Sequence, residues 1–412
     1  IQTLFKLLHF TSMTSSINEE NISSSTAEVD DIVDCVKLLN TVIENLEEDY
    51  YEYYQNTEQV VFKMLKEAKN YKLKRALMEV LGNLIKVLYA KKENCQLKQK
   101  AEEYIKIFFV YIDKELDIKL CAQLIEILNQ IIENSAELFE QSTLEQLFER
   151  IIKELNLFEE RRVQAIKNQN KRENEYEEEK ENKDDDTESN DEEESRAEYL
   201  NNFLVEDIIN LEEIECRLIE SIESILKANS KGETQKFAKI LQILIETTIP
   251  SFLSSERTTP LLLKYPNNFK LAALTIDNIF ENFELTFKPE VMNYLLSALL
   301  LLSTYNVPSI RQAALYGLGI FIKKSPNELY EMFSSKIYPK LKEAITSYTN
   351  KKRDEGLAYD NAVASIGKGI GYKNFIDKEY IQLWLSNLPI KYDSTEKREQ
   401  NEILSSYILQ KK

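Results

Sequence analysis

The chain has 412 residues, 43% of them hydrophobic, and contains only 8 Gly and 8 Pro. Proteins usually contain about 7% Gly and about 5% Pro, residues that form hairpins and strand–helix turns, so a many-stranded sheet or a βαβ enzyme is disfavoured. The hydrophobic share excludes a globally disordered or collagen-like chain, because it supplies a large core. Single cores rarely exceed roughly 250–300 residues, which favours a long all-helical protein built from repeats.

The charge is distributed unevenly. A net charge of −18 disfavours nucleic acid and anionic membranes as partners, so we expect no direct nucleic-acid binding and no membrane insertion. The segment Glu173–Glu194 alone contains 14 acidic and 2 basic residues, a net charge of −12, which leaves −6 for the remainder. We interpret this segment as an acidic partner-binding or solvating tract attached to a helical body.

Three windows along the chain follow one helical template. They are KRALMEVLGNLI (Lys74–Ile85), RQAALYGLGIFI (Arg311–Ile322) and YDNAVASIGKGI (Tyr359–Ile370). Apolar residues recur in them at three- and four-residue steps, and position nine is always a glycine: Gly82, Gly319 and Gly367. A glycine inside a helix costs about 1 kcal/mol relative to alanine. Its recurrence therefore predicts a packing position where a small residue lets another helix approach closely.

Looser copies of the template begin at Ile32, Asp117, Leu211 and Phe269, and most neighbouring copies are 42 to 48 residues apart. A second amphipathic helix follows each copy. These second helices are predicted at Thr57–Ala68, Leu97–Ile112, Thr143–Leu155, Thr234–Ile249, Pro289–Leu302, Leu329–Ser347 and Lys378–Leu388. Helix pairs at this spacing are typical of HEAT repeats. The predicted fold class is all-α, an α-α superhelix (ARM/HEAT-type solenoid) of about seven to eight helix pairs.

The predicted organisation has six segments. They are an uncertain N-terminal segment at 1–26, about three HEAT pairs at 27–165, an acidic insertion, disordered or partly helical, at 166–200, one HEAT pair at 201–250, an irregular loop at 251–268, and three pairs plus a truncated one at 269–412. The truncated pair is represented by a single helix at Glu396–Leu409.

The sequence lacks the residue patterns of catalysis. It has no P-loop, no GxGxxG after a strand, no HExxH and no GxSxG, and its single histidine, His9, lies in the uncertain N-terminal segment. The four cysteines lie dozens of residues apart without neighbouring histidines, so they lack zinc-site spacing. We expect a non-enzyme with no cofactor, no metal and no catalytic residue.

A family resemblance rests on four segments: VPSIRQAALYGLG (Val307–Gly319), IYPKLKEAI (Ile337–Ile345), DNAVASIGKGI (Asp360–Ile370) and LWLSNLPI (Leu383–Ile390). Together they resemble consecutive repeats of the karyopherin-beta (importin-beta) family, of its importin beta-3 type. The stretch FEERRVQAIKNQNKRENEYEEE (Phe158–Glu179) also resembles that type. The resemblance is specific over Pro308–Pro389 and suggestive over Phe158–Leu204, whereas the first 150 residues match only as generic HEAT helices.

The resemblance implies a nuclear transport receptor, a HEAT superhelix that carries basic cargo through the nuclear pore and is switched by Ran-GTP. The chain would be a middle-to-C-terminal portion, without the N-terminal repeats that contact Ran most strongly. The implied partners are basic cargo proteins with nuclear localisation signals, Ran-GTP and Phe-Gly nucleoporins. We expect a monomer that shuttles between cytoplasm and nucleus. The alternative is a HEAT-repeat scaffold subunit of a phosphatase- or chromatin-associated complex.

Candidate cargo contacts are acidic residues and the only tryptophan. They are Glu177, Glu178, Glu179, Asp184, Asp185, Asp186, Glu192, Glu193 and Glu194 of the tract, Glu331 and Glu343 on a second helix, and Trp384. The competing interpretation of the acidic residues is a solvated face or a plain insertion, and that of Trp384 is a core position. Arg311 is expected to brace a neighbouring repeat. Asn361 is either an inter-repeat hydrogen-bonder or exposed.

Overall fold

A computed structural model describes residues 26–115, 117–181, 191–231, 234–254, 265–348, 353–375 and 377–410. Every regular element in these ranges is a helix, and none of them is a strand. The chain divides into two compact units, Ile1–Ala228 and Asn229–Lys412, each of which is described by itself. No helix in the described ranges has the length and apolar character that crossing a membrane requires.

The first unit contains seven α-helices within its described residues. They are α1 (Thr26–Leu46), α2 (Tyr54–Glu67), α3 (Tyr71–Lys91), α4 (Asn94–Lys114), α5 (Ile118–Ser135), α6 (Gln141–Glu181) and α7 (Asp191–Lys227), with 3-10 turns at Glu47–Tyr53 and Ala136–Leu138. The helices α1, α3, α5 and α7 pack side by side in this order, and α2, α4 and α6 form the second helices of the pairs.

Local chemistry fixes the helix ends. Asn70 accepts hydrogen bonds from the backbone N–H groups of Lys72 and Leu73, at 2.8 and 3.3 Å, which starts α3. Asp117 caps α5 in the same way by accepting from the N–H of Leu120 at 3.0 Å. The helix α3 ends where Lys92 adopts a left-handed conformation with φ of 62°.

The second unit begins with irregular helical turns and continues as regular pairs. A 3-10 turn at Ala228–Lys231 links the two units along the chain. The elements that follow are a 3-10 turn (Thr234–Phe237), α8 (Ala238–Ile243), a π-helical turn (Leu244–Thr248), α9 (Ile249–Phe252), α10 (Asn267–Asn282), α11 (Pro289–Leu302), α12 (Pro308–Lys324), α13 (Asn327–Thr346), α14 (Arg353–Lys373), α15 (Lys378–Ser386) and α16 (Ser394–Gln410). The helices α10, α12, α14 and α16 stack in sequence order.

The predicted helix pairs are confirmed at most positions. The first helices expected at Ile32, Lys74, Asp117, Leu211, Phe269, Arg311 and Tyr359 lie in α1, α3, α5, α7, α10, α12 and α14. The predicted second helix at Thr234–Ile249 is wrong as a single regular α-helix, since a π-helical turn interrupts it. The cause lies just beyond, at Pro250, which has no N–H to donate to the carbonyl one turn earlier.

The helices also extend into the predicted insertion at 166–200. The helix α6 covers 166–181 and α7 covers 191–200, so much of this segment is helical. Residues 182–190 between them lie outside the described residues, as do residues 1–25, with His9, and residues 255–264 of the predicted loop.

Candidate functional site

The three repeated glycines lie where neighbouring first helices approach each other. A Cβ atom added at Gly82 of α3 would lie 2.6 Å from Ile127 Cγ2 of α5, and one added at Gly319 of α12 would lie 2.5 Å from Ser365 Oγ of α14. At Gly367 of α14 the added atom would collide with Gln400 of α16. In both units the glycine thus lies at a position where an added methyl group would meet a neighbouring helix.

Arg311 connects two successive pairs of the second unit. Its Nη1 donates to the carbonyl of Tyr305 at 2.6 Å, and its Nη2 donates to the carboxylate of Glu355 at the start of α14. Its side chain is 18% exposed, so the guanidinium is largely enclosed by these partners. This geometry supports the expected bracing of a neighbouring repeat.

Asn361 and its neighbour Asp360 connect α14 to the beginning of α16. Asn361 is buried, and its amide donates to the Leu357 carbonyl at 2.9 Å and to Asp393 Oδ2 at 3.4 Å. Asp360 Oδ2 accepts the backbone N–H groups of residues 391–393 at 3.1, 2.5 and 3.0 Å. The pKa of Asp360 is raised by burial, and these three hydrogen bonds offset only part of that rise. Of the two interpretations of Asn361, the structure supports the inter-repeat hydrogen-bonder.

Trp384 is a core residue, which corrects its prediction as a cargo contact. Its side chain is 0% exposed, its indole N–H donates to Gln400 Oε1 at 2.9 Å, and its ring meets that of Tyr407 edge-on at 6.0 Å. A partner on the surface cannot touch a side chain that has no accessible area. The competing interpretation, from its leucine neighbours Leu383 and Leu385, was the better one.

The predicted acidic contacts on the second helices are exposed. Glu331 and Glu343 both lie on the solvent side of α13. Glu343 receives Lys340 Nζ at 2.8 Å, one turn away on the same helix. Exposed pairs of this kind contribute only about 0–1 kcal/mol, so both carboxylates remain accessible to a competing cation.

The acidic tract lies at the far end of two long packed helices. The helices α6 and α7 bury Phe158, Ile166, Ile208 and Ile214 between them, each at most 1% exposed. The helix α6 includes Glu177, Glu178 and Glu179, and α7 includes Glu192, Glu193 and Glu194, but the structure describes only the backbone of these six residues. The remaining three predicted contacts, Asp184, Asp185 and Asp186, lie outside the described residues. The structure thus places the two ends of the tract on neighbouring helices.

A buried ion pair joins these two helices at their base. Arg162 Nε of α6 donates to both carboxylate oxygens of Glu215 of α7, at 2.8 and 2.9 Å. The side chains are 1% and 0% exposed. An ion pair this deep is costly to misalign, because a shifted register would leave a buried charge without its partner. The pair therefore fixes how α6 lies against α7, and so where the tract leaves the helical body.

Sequence reasoning missed the polar groups that the helices bury. Lys368 Nζ of α14 lies 2.5 Å from Glu396 Oε1 and 3.5 Å from Glu399 Oε2 of α16, with the Lys368 and Glu396 side chains at most 4% exposed. Burial raises the pKa of Glu396 against the opposing effect of Lys368. The sequence did contain a sign of this buried pair: Lys368 lies among small and apolar residues on the buried face of its helix, where a lysine needs a charged partner.

A second buried network joins α2 and α4 in the first unit. Tyr104 donates its hydroxyl proton to Glu58 Oε1 at 2.6 Å and accepts that of Tyr54 at 2.8 Å, while Lys100 Nζ lies 2.8 Å from Glu58. Burial raises the pKa of both tyrosine hydroxyls, which remain neutral donors. Some of the tyrosines thus serve as hydrogen-bonding core residues.

Metal-ligating side chains do not cluster in the part of the chain that the structure describes. No group of three or more His, Cys, Asp or Glu side chains converges on a possible ion there. Burial raises the pKa of the Cys121 thiol to about 12, so that thiol is un-ionised at neutral pH.

In each unit, the helix order and the stacked pairs are those of an all-α fold of the HEAT type. Solved structures of the karyopherin Kap121p share this fold. The Kap121p structure bound to RanGTP aligns with a TM-score of 0.66 at 17% identity, covering 93% of this chain and 32% of that chain. The structure bound to Nup53p aligns with a TM-score of 0.63 at 17% identity, covering 92% of this chain and 31% of that chain.

The chain spans about a third of the length of the Kap121p chains that it matches. No protein-family model matches the sequence. At this identity the likeness shows the fold, the all-α HEAT-repeat fold that the Kap121p structures also have.

Proposed function

We propose that the chain is part of a nuclear transport receptor of the karyopherin-beta family, of the importin beta-3 type, which binds basic cargo and is not an enzyme. One observation carries the proposal: a Kap121p-like fold extends over 93% of the chain, and the four segments of sequence resemblance fall in consecutive elements of that fold. These segments lie in α12, α13, α14 and the region from α15 to Ile390.

Cargo binding is proposed to use two acidic surfaces. The first is the tract Glu173–Glu194, which α6 and α7 carry, and the second is the exposed face of α13 with Glu331 and Glu343. Carboxylates on a solvated surface attract Lys- and Arg-rich segments over several ångströms and raise the association rate. The acidic insertion at 166–200 is proposed as a cargo-capturing arm between HEAT pairs.

The further partners follow from the same proposal. Kap121p has been solved with RanGTP and with Nup53p, and this chain is proposed to belong to a receptor that binds Ran-GTP and Phe-Gly nucleoporins. Such a receptor works as a monomer that moves between cytoplasm and nucleus. The chain needs no cofactor for this role, since cargo is exchanged by competition between binding partners.

The test is a binding measurement with charge-matched peptides. Fluorescence anisotropy would compare the chain with a labelled Lys/Arg-rich localisation peptide and with the same peptide carrying Gln at each basic position. We expect only the basic peptide to bind, with an affinity that falls as salt rises. In a second measurement, Ran-GTP, with Ran-GDP as control, would be added to the full-length receptor with cargo bound, and the release of cargo would be followed. Equal binding of both peptides, or cargo retained equally with both Ran forms, would favour the scaffold alternative.

A further inference from the structure

A cavity of about 350 Å³ lies in the second unit, where two helix pairs meet. It is enclosed by the C-terminal ends of α11 and α13 and by the N-terminal parts of α12 and α14. Ligand pockets measure about 300–1,000 Å³, so this one suits a single long side chain rather than a large molecule. The side chains that matter are Tyr348, Tyr359, Glu343, Glu355 and Arg311.

The hydroxyl groups at the helix ends donate their protons to backbone carbonyls of the same helices. Ser303 Oγ donates to the Leu300 carbonyl at 2.9 Å, Thr304 Oγ1 to the Leu301 carbonyl at 3.1 Å, and Ser347 Oγ to the Ala344 carbonyl at 3.3 Å. A hydroxyl has one proton and two lone pairs. Each of these groups therefore presents only acceptor lone pairs to a ligand in the cavity.

The charges favour a cation. Arg311 directs its two terminal nitrogens to the Tyr305 carbonyl and to Glu355, so its charge is balanced within the wall. Among the described residues, the Glu343 carboxylate is paired with Lys340, and its side chain is 56% exposed. The partial negative charge at the C-terminal ends of α11 and α13 is offset by the partial positive charge at the N-terminal parts of α12 and α14, about half an elementary charge each. The lining contains two carboxylates, of Glu343 and Glu355, against one guanidinium, so its formal charge is negative, and the hydroxyl groups add acceptors.

An aromatic pair forms one wall. The rings of Tyr348 and Tyr359 lie 4.6 Å apart between centroids and are tilted by 32°. Tyr359 donates its hydroxyl proton to Asn387, which holds the ring in place. Aromatic faces attract cations, and they attract the planar guanidinium group in particular because it also stacks on the ring.

From this geometry we infer that the cavity binds the guanidinium group of an arginine side chain on a protein partner. The guanidinium would lie on the Tyr348 ring and donate to Glu343 and to the helix-end hydroxyls. The inference refines the proposed function and rests on it, because it assigns one position of a basic cargo segment to a defined place between two repeats.

The test uses two alanines that line the cavity, Ala344 and Ala358, as reporters. Methyl NMR spectra of the full chain would be followed during titration with N-acetyl-arginine amide, and then with the amide of N-acetyl-citrulline, its neutral isostere. We expect both methyl signals to shift with the arginine compound and not with the citrulline compound. Equal shifts with both compounds, or shifts elsewhere only, would overturn the inference.

Variants make the assignment specific. Glu343→Gln removes an exposed carboxylate without disturbing the core, and we expect arginine affinity to fall about fivefold or more. Glu290→Gln, on the exposed first turn of α11 and outside the cavity lining, is the matched control and is expected to change nothing. Equal affinity in Glu343→Gln and wild type would contradict the arginine site. If basic peptides still bound that variant normally, the transport proposal would stand without the site.

Discussion

At the residue scale, a single absent methyl group governs how closely the first helices pack. Gly82, Gly319 and Gly367 share one position in three repeats, and each is met by a side chain of the next first helix. The sequence predicted this closeness from the recurrence of a residue that weakens helices. It had no means to identify the side chains that fill the space, because their direction depends on how the next repeat is placed.

Gly82→Ala is expected to destabilise the first unit. Alanine favours the helix by about 1 kcal/mol, but its methyl group would collide with Ile127, and overpacking of this kind costs about 1–3 kcal/mol. Urea denaturation would measure the free energy of unfolding. In the Ile127→Ala background the collision disappears, so Gly82→Ala should there be neutral or stabilising. Additive effects of the two changes would contradict this account of the glycine.

Trp384 allows its buried position to be checked by fluorescence, because it is the only tryptophan in the chain. With no exposed area and an indole N–H bonded to Gln400, it should emit at shorter wavelength than free indole in water and resist quenching by iodide. Addition of a basic peptide should leave both properties unchanged. Strong quenching by iodide in the free chain would contradict the buried position and favour the prediction of Trp384 as an exposed cargo contact.

At the scale of the elements, apolar spacing located the first helices but not the polar contacts between them. Apolar residues at three- and four-residue steps identify a buried face whatever packs on it, which is why α3, α12 and α14 were predicted correctly. Ion pairs between helices do not recur at a regular spacing in the sequence. Arg162 and Glu215 are 53 positions apart, and only the antiparallel course of α6 and α7 brings them together.

The Arg162–Glu215 pair should show strong coupling between the two side chains. Arg162→Met removes the guanidinium that faces the buried carboxylate of Glu215, which is expected to cost about 3–5 kcal/mol of unfolding free energy. The double variant Arg162→Met/Glu215→Met removes both charges and should recover most of that loss. Chemical denaturation of the wild type, the two single variants and the double variant gives the coupling energy. Single changes that simply add would show that the pair does not form.

The Lys368–Glu396 pair between α14 and α16 predicts a pH dependence of stability. Burial raises the pKa of Glu396 above its usual 4.5, so the folded state holds this proton more tightly than the unfolded state does. The penalty of ionising the buried carboxyl is absent below pH 4.5 and grows as pH rises through the raised pKa. Glu396→Gln should therefore gain stability relative to wild type as pH increases across that window. The pKa of Glu399 is lowered, so this residue changes stability with pH in the opposite direction. The measurement is therefore the difference in unfolding free energy between Glu396→Gln and wild type at each pH.

At the scale of the whole molecule, the repeat period and the composition predicted the fold class, and charge patterning predicted one acidic surface. For the segment 166–200 of that surface, the sequence left two states open, disordered or partly helical. Residues 166–181 and 191–200 have the composition of an insertion because their polar residues outnumber the apolar ones. They nevertheless continue α6, whose buried apolar residues lie mostly before them, and α7, whose buried apolar residues lie after them. A long helix inherits its stability from the part that is packed, and local composition does not report this.

Neutralising the acidic tract is the prediction that bears most directly on the proposed function. Replacing the 14 acidic residues of Glu173–Glu194 by Asn and Gln removes 14 negative charges from one place on the chain and changes the net charge from −18 to −4. If the tract captures basic cargo, the association rate of a Lys/Arg-rich peptide at low salt should fall by about tenfold or more, and its salt dependence should flatten. The dissociation rate should change less, because steering acts before close contacts form. A chain with the same tract residues in scrambled order keeps the charge and should keep the rate. An unchanged association rate in the neutralised chain would assign the tract a solvating role and leave cargo capture to the exposed carboxylates of α13.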